Sequence, residues 1–421
     1  MKNSHKIRGC PRVNQEGSIG LACLASWIRS CASKGTSSMR PKQLTILIAC
    51  GLAGILSYQL LLAQPEQPGA TFGLSGLQPP STSQESPQTW GQLVTWDGVT
   101  TTYAVYKQNF VYGSVPFLIT DIRTETKYSD KHSYEMRSLT VYRAHDDSHL
   151  LDNQPVIFFV HGGAWTDGYE NWYDFVAQSF TGEKGWVTVV IDYRLTSDQV
   201  FIADEHCPDR DTCNSPENVP LRTKAAWYRD NIEDVASAFQ WVVDNIAGNG
   251  GNADQIVAFG HSAGGHLVSL LATHPNYSAL RPAMKGLISM SGAYLLKELS
   301  MVTFASDIDQ TFQGGHVDND AELDEASPST YVIAGMPLPP FYVLHAQREL
   351  PSLYEQALAF RNTLESRGLA VEYDYLAGYD HSTEMEAIAD ISTAPTALIV
   401  NFIETVLDLN DQQVYLPLLV R

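Results

Sequence analysis

The sequence predicts an α/β fold, with a mostly parallel central sheet covered by helices on both faces. Three observations predict it. Residues 155–160 (PVIFFV), 186–192 (WVTVVID) and 255–259 (QIVAF) are nearly unbroken apolar runs, the composition of strands buried on both sides. Residues 230–246 have helical period, with Ile232, Val235, Phe239, Val242, Val243 and Ile246 on one face. The pentapeptide Gly260-His261-Ser262-Ala263-Gly264 stands directly between the third apolar run and a helical stretch, where a strand must turn sharply into a crossover helix.

Taken in order, residues 138–144 (SLTVYRA) alternate as a strand, followed by the runs at 155–160 and 186–192. The helix at 230–246 leads to the strand at 255–259 and a helix over 261–272. Residues 286–290 and 341–344 read as further core strands, and 353–365 as an amphipathic helix stopped by Gly368. A strand at 370–376 and a largely helical 384–407 complete one domain spanning 91–410. Residues 411–421 form a C-terminal tail ending in VYLPLLVR.

The chain has 421 residues, 44% hydrophobic and 18% charged, with a formal net charge of −20. That length buries a sizeable core, and the composition is not that of a disordered chain. The charge is uneven: residues 1–63 carry eight Lys and Arg against one acid, and the remainder 19 against 46. An acidic body excludes nucleic acid as a partner, because phosphates demand a basic surface.

Residues 44–63 (LTILIACGLAGILSYQLLLA) hold no charge for 20 positions and follow Arg40 and Lys42. A basic flank before an apolar run is the pattern of an export signal, and the run is long enough to anchor the chain in a membrane. Residues 39–63 are therefore expected to be a signal peptide or membrane anchor. Initiation at Met39 would give an ordinary signal start and leave 1–38 as an upstream extension; the alternative is a genuine tail before an anchor. Residues 64–90, rich in Pro, Gln and Ser, read as a linker. Export places the protein outside the cell, in the periplasm or at the outer membrane face. It also permits a small disulfide between Cys207 and Cys213, the two cysteines beyond the apolar segment.

The chemistry lies in four places. In Gly260-His261-Ser262-Ala263-Gly264, a Ser on a sharp turn presents its hydroxyl above the sheet edge, and small residues two before and two after let the turn close. Ser262 is thus the expected nucleophile. His161-Gly162-Gly163-Ala164-Trp165 follows an earlier apolar strand, where backbone N–H groups can meet the charge that acyl transfer builds on a carbonyl oxygen. The donors expected are Gly163, Ala164 and Ala263, with Gly162 able to replace one of them. Trp165 is expected to wall the substrate pocket, with plain core packing as the alternative, and His161 to hydrogen-bond within the loop. His381 follows the last strand, where the order Ser, acid, His places the base; His266 and His345 are read as structural. Glu349, three residues past the strand ending at Ala346, is the expected acid that orients the imidazole.

Together these residues resemble the α/β-hydrolase superfamily. The HGGAW loop, VIDYRL at 190–195, GGNADQIVAFGHSAGGHL at 250–267, Ser327-Pro328, ELPSLYEQA at 349–357 and GYDH at 378–381 are similar, in that order, to carboxylesterases with an HGG-x-W loop. That group includes kynurenine formamidases and feruloyl or acetyl-xylan esterase-like enzymes. The resemblance covers residues 135–407 and implies a serine hydrolase without cofactor or metal, using Ser262, Glu349 and His381 through an acyl-enzyme. Two departures stand out. HAQRE replaces the commoner His-Gly-x-x-Asp around the acid, and residues 196–229 and 297–326 are insertions near the active-site edge. The first carries Cys207 and Cys213 and is placed to cap the pocket. The second holds the acidic run 318–325, read as a solvated loop rather than a calcium site.

The expected function is an exported carboxylic-ester hydrolase. An arylformamidase or amidase with the same triad, and an esterase acting on acylated polysaccharide or polyester, are the alternatives. The partner expected is a small or polymer-borne ester; oligomeric state, acyl preference and alcohol preference are not readable from the residues.

Overall fold

The computed structural model describes residues 90–409, except 114–116, 119–133, 136, 197–198, 202–222, 227, 301–310 and 313–319. All lie in the compact unit Gly76–Arg421. The apolar segment 44–63, residues 64–89 of the linker, Cys207, Cys213 and the C-terminal tail lie outside the described residues; Trp90, placed in the linker from sequence, is buried in the core. Among the described residues, no single helix is long and apolar enough to cross a membrane.

Thirteen described strands form two sheets. In chain order they are β1 (Gln92–Val94), β2 (Ala104–Val111), β3 (Phe117–Leu118), β4 (Tyr134–Glu135), β5 (Ser138–His145), β6 (Gln154–Val160), β7 (Val187–Ile191), β8 (Gln199–Phe201), β9 (Thr223–Ala225), β10 (Gly251–His261), β11 (Met284–Met290), β12 (Phe341–Arg348) and β13 (Val371–Asp380). The main sheet has the order β1-β2-β5-β7-β6-β10-β11-β12-β13. Its first three pairings, from β1 to β7, are antiparallel, and β7, β6, β10, β11, β12 and β13 run parallel. The sheet is thus mostly parallel, as its apolar runs predict.

Alternation along β6 explains why its sequence is apolar throughout. Val156, Phe158 and Val160 join the core on one face, and Ile157 and Phe159 the core on the other. Phe158 meets Phe239 edge-on at 5.1 Å between centroids, and Phe159 meets Phe259 at 5.0 Å. Helices α1 (Tyr228–Asn245), α2 (Ala263–Thr273) and α3 (Leu353–Ser366) cover the first face, and α4 (Ala394–Val406) the second. A strand covered on both sides has no solvent-facing row to mark with polar residues.

Four elements differ from the sequence reading. Strand β10 starts at Gly251, with a register shift before Ile256. Helix α2 starts at Ala263 rather than 261, because Ser262 has φ 55° and ψ −120° and cannot be helical. Strand β13 runs on to Asp380, so GYD belongs to the strand. The helical segment at 384–407 is broken: a short helix Thr383–Glu386 and a 3-10 turn Ala387–Ala389 precede α4, which restarts with Pro395 in its first turn.

The insertion at 196–229 supplies β8 and β9, which pair with each other and, through β8, with β3 in a small antiparallel sheet of order β4-β3-β8-β9. In the acidic run, Asp320–Glu325 forms a short helix. Asp324 pairs with Lys297 at 2.7 Å and Glu325 with Arg229 at 2.9 Å. The acids of this helix meet cations of neighbouring segments where a solvated loop was expected.

Candidate active site

The parallel strands end on one edge, and the predicted residues gather there. Ser262 follows β10, the HGGAW loop follows β6, Glu349 follows β12 and His381 follows β13. The outer edge of the C-terminal strand ends is where open α/β sheets collect their functional groups.

The turn at Ser262 is closed by its glycines. A Cβ on Gly264 would stand 2.0 Å from the Val160 carbonyl oxygen, and one on Gly260 would stand 2.2 Å from that of Gly264. The Ser262 N–H donates to the Met290 carbonyl at 2.9 Å, which registers the turn on β11. With φ at 55° the Ser side chain stands clear of both strand and helix.

His381 joins Ser262 to Glu349. Its Nε2 lies 2.9 Å from Ser262 Oγ and its Nδ1 2.5 Å from Glu349 Oε1. A carboxylate only accepts, so Nδ1 carries the proton and Nε2 is free to accept the Ser hydroxyl hydrogen. Glu349 has further donors: the Ser291 hydroxyl on Oε2, and the Leu350 N–H on Oε1 at 2.7 Å. Burial pushes the Glu349 carboxyl up. The hydrogen bond and charge of His381, with Ser291 and Leu350, outweigh it and hold the group below the usual carboxylate value. Ser291 was not singled out from sequence. Its only signal was its place one residue past the end of β11, at another C-terminal strand end.

The turn carrying His381 is locked by a reciprocal pair. Asp380 Oδ1 accepts the Thr383 N–H at 3.0 Å, and Thr383 Oγ1 accepts the Asp380 N–H at 2.9 Å. The Thr383 N–H most, then the Thr383 hydroxyl, Arg348 and the Ser382 N–H, lower the Asp380 carboxyl.

In the HGGAW loop, Gly163, Ala164 and Trp165 have φ of 122°, 50° and 60°. Gly163 needs its freedom, since a Cβ there would fall 1.9 Å from the Asp167 carbonyl oxygen. The loop closes through Thr166 and Asp167 N–H groups on the Gly163 carbonyl, at 3.1 and 2.9 Å. Gly163, Ala164 and Ala263 all border the cavity over Ser262. Burial raises the nearby Tyr173 phenol to about 12.

His161 is held inside the loop, with Nδ1 on the Gly162 carbonyl at 2.7 Å and its ring stacked between Tyr173 and Tyr193. His345 donates Nδ1–H to the Ala346 carbonyl at 2.9 Å and accepts the Tyr373 hydroxyl at 2.7 Å. Both make structural contacts. The cavity holds about 390 Å³ and is lined by Ser262, His381 and Ser291 with an apolar wall of Trp165, Leu299, Leu350 and Leu353. Trp165 is both wall and core: it is 4% exposed and packs edge-on against Phe312 at 4.9 Å. Leu299 comes from the second insertion. Another cavity, of about 500 Å³, opens at the N-terminal ends of β6 and β10, between Gln154, Lys184 and Glu404. It lies away from Ser262 and His381.

One cluster has the residue types of a metal site. Ligating atoms of His261, His381 and Glu384 lie within 4.8 Å of one another. However, His261 Nε2 is given to the His381 carbonyl, and His381 to Ser262 and Glu349. The set is an acid–imidazole cluster with its nitrogens already engaged.

With that geometry in hand, comparisons place the chain. The model of the carboxylesterase family matches residues 229–310, which include the Ser262 turn. Esterase LipQ of Mycobacterium tuberculosis is 29% identical over 247 residues, covering 55% of this chain and 51% of LipQ. The probable carboxylic ester hydrolase LipM of the same organism is 29% identical over 229 residues, covering 52% and 46%. The solved structure of esterase B from Lactobacillus rhamnosis superposes with a TM-score of 0.52 at 14% identity, covering 88% of this chain and 96% of that one. The chain has an α/β-hydrolase fold and is similar in sequence to carboxylesterases around the Ser262 turn. It spans about half the length of the curated relatives it matches. The likeness to esterase B carries the fold alone.

Proposed function

We propose that this chain is an exported serine carboxylesterase. Ser262 attacks the ester carbonyl, His381 takes its proton and returns it to the leaving alcohol, and Glu349 holds the imidazole and offsets its charge. The N–H groups of Gly163, Ala164 and Ala263 meet the oxyanion. The acyl group is then released from Ser262 by water that His381 activates.

The observation that carries this reading is the pair of bonds on one ring, His381 Nε2 to Ser262 at 2.9 Å and Nδ1 to Glu349 at 2.5 Å. The carboxylesterase likeness around Ser262 supports an ester as substrate. Export rests on the uncharged stretch at 44–63 behind Arg40 and Lys42. The test is hydrolysis of p-nitrophenyl acetate, butyrate and decanoate by the purified protein beside Ser262→Ala. Turnover by the first and silence from the second support the reading. Turnover of aryl formamides with none of the esters would replace it with a formamidase.

A further inference from the structure

Glu384 is wholly buried beside the proposed active site, and neither carboxylate oxygen accepts a hydrogen bond among the described residues. A buried carboxylate without donors is costly and calls for a physical reason. Its neighbour is His261, whose Nε2 lies 3.5 Å from Glu384 Oε1. The same Nε2 lies 2.9 Å from the main-chain oxygen of His381, and the two imidazole rings are 4.8 Å apart. A carbonyl only accepts, so His261 Nε2 carries a hydrogen.

We infer that Glu384 and His261 form a second acid–imidazole pair that positions the base, holding His381 by its own main-chain carbonyl. The inference rests on the carboxylesterase reading for the role of His381. His261 immediately precedes Ser262, and Glu384 lies three residues after His381. The pair therefore ties the turn that carries the base to the residue adjoining the nucleophile. Glu349 and Ser262 hold the two ring nitrogens, while His261 holds the backbone from which the ring hangs. The carboxylate beside Nε2 keeps the hydrogen on that nitrogen and the ring turned towards the carbonyl. Neither residue moves a proton in the reaction; both are positioning residues.

The test compares His261→Leu, which removes the donor, with His261→Gln, whose amide N–H can still reach the carbonyl, and with Glu384→Gln. The full chain is assayed on p-nitrophenyl butyrate. The expected result for His261→Leu is a fall in kcat of about 100-fold, the scale set by a misplacement near 1 Å, with KM unchanged. His261→Gln recovers most of that loss, and Glu384→Gln falls between them. Melting curves identify any variant that fails to fold, and if His261→Leu does, the Gln pair decides. A second readout needs no substrate: the far-downfield proton of His381 Nδ1–H should shift or broaden in His261→Leu and persist in His261→Gln. Equal kcat in all variants, a change confined to KM, or an unaltered downfield proton in His261→Leu would overturn the inference. If the wild type turns over no ester, the carboxylesterase reading fails, and the proton signal still decides the positioning of His381.

Discussion

Trp165 donates its indole N–H to Nδ1 of His266 at 3.1 Å, and that bond joins the loop after β6 to the helix after β10. His266 in turn donates Nε2–H to the Ala326 carbonyl at 2.7 Å. One buried imidazole thus links the HGGAW loop, the helix after Ser262 and the end of the acidic insertion. Because Nδ1 accepts and Nε2 donates, the ring is neutral and its tautomer is assigned.

Trp165→Phe keeps the aromatic wall and leaves His266 Nδ1 without a donor. An unsatisfied buried acceptor costs about 1–3 kcal/mol. The expected result is that much loss of stability in urea unfolding, with kcat on a p-nitrophenyl ester falling as the loop loosens. Unchanged stability would show that the bond contributes nothing.

His266 also sets a pH dependence. Burial lowers its pKa from 6.5 to about 4 in the fold. The unfolded chain takes up a proton near pH 6.5 that the fold refuses until about pH 4. This group's contribution is therefore full above pH 6.5 and is lost as pH falls towards 4, about 3 kcal/mol in all. His266→Gln should flatten that part of the stability profile in urea titrations at pH 7 and pH 4.5.

Gly264→Ala places a methyl 2.0 Å from the Val160 carbonyl oxygen, where only backbone could give way. A loss of about 3 kcal/mol or a failure to fold is expected. In Gly265→Ala the nearest atom is Ser289 Oγ at 3.0 Å, so the effect should be milder. Thermal unfolding of the two proteins, side by side, measures the difference.

Arg194, just after β7, is gripped from α1. Its Nε meets Asp234 Oδ2 at 2.7 Å, its Nη2 meets Oδ1 at 2.7 Å, and its Nη1 meets Asp230 at 3.0 Å. Arg137 also pairs with Asp234, whose side chain is fully buried. Burial alone would lower the Arg194 pKa, but the carboxylates raise it. Removing one partner of a buried pair costs about 3–5 kcal/mol. Asp234→Asn should lose stability on that scale by denaturant unfolding.

The residues legible in the sequence are those whose neighbours in the chain impose the geometry. Gly260 and Gly264 bracket Ser262 because the turn admits no Cβ, and that constraint is written locally. His381 and Glu349 could be placed from their order after strands. The buried strands announced themselves because both faces of β6 are covered. Strands β1 and β2, at one side of the sheet, left no such mark, since they are half exposed. Ser291, Glu384 and the bond between Trp165 and His266 depend on segments brought together only by the sheet. The end of β13 was missed because Gly378 and Asp380 read as turn residues, while pairing with β12 carries the strand through them.

In the proposed reaction Ser262 carries the acyl group. The most direct measurement is rapid quenching of the protein with p-nitrophenyl acetate, followed by mass spectrometry of the peptide containing residue 262. An acetyl group on Ser262 that forms and decays in the wild type, and is absent in His381→Ala, is the predicted result. Acetyl on another residue, or turnover that persists in Ser262→Ala, would contradict it.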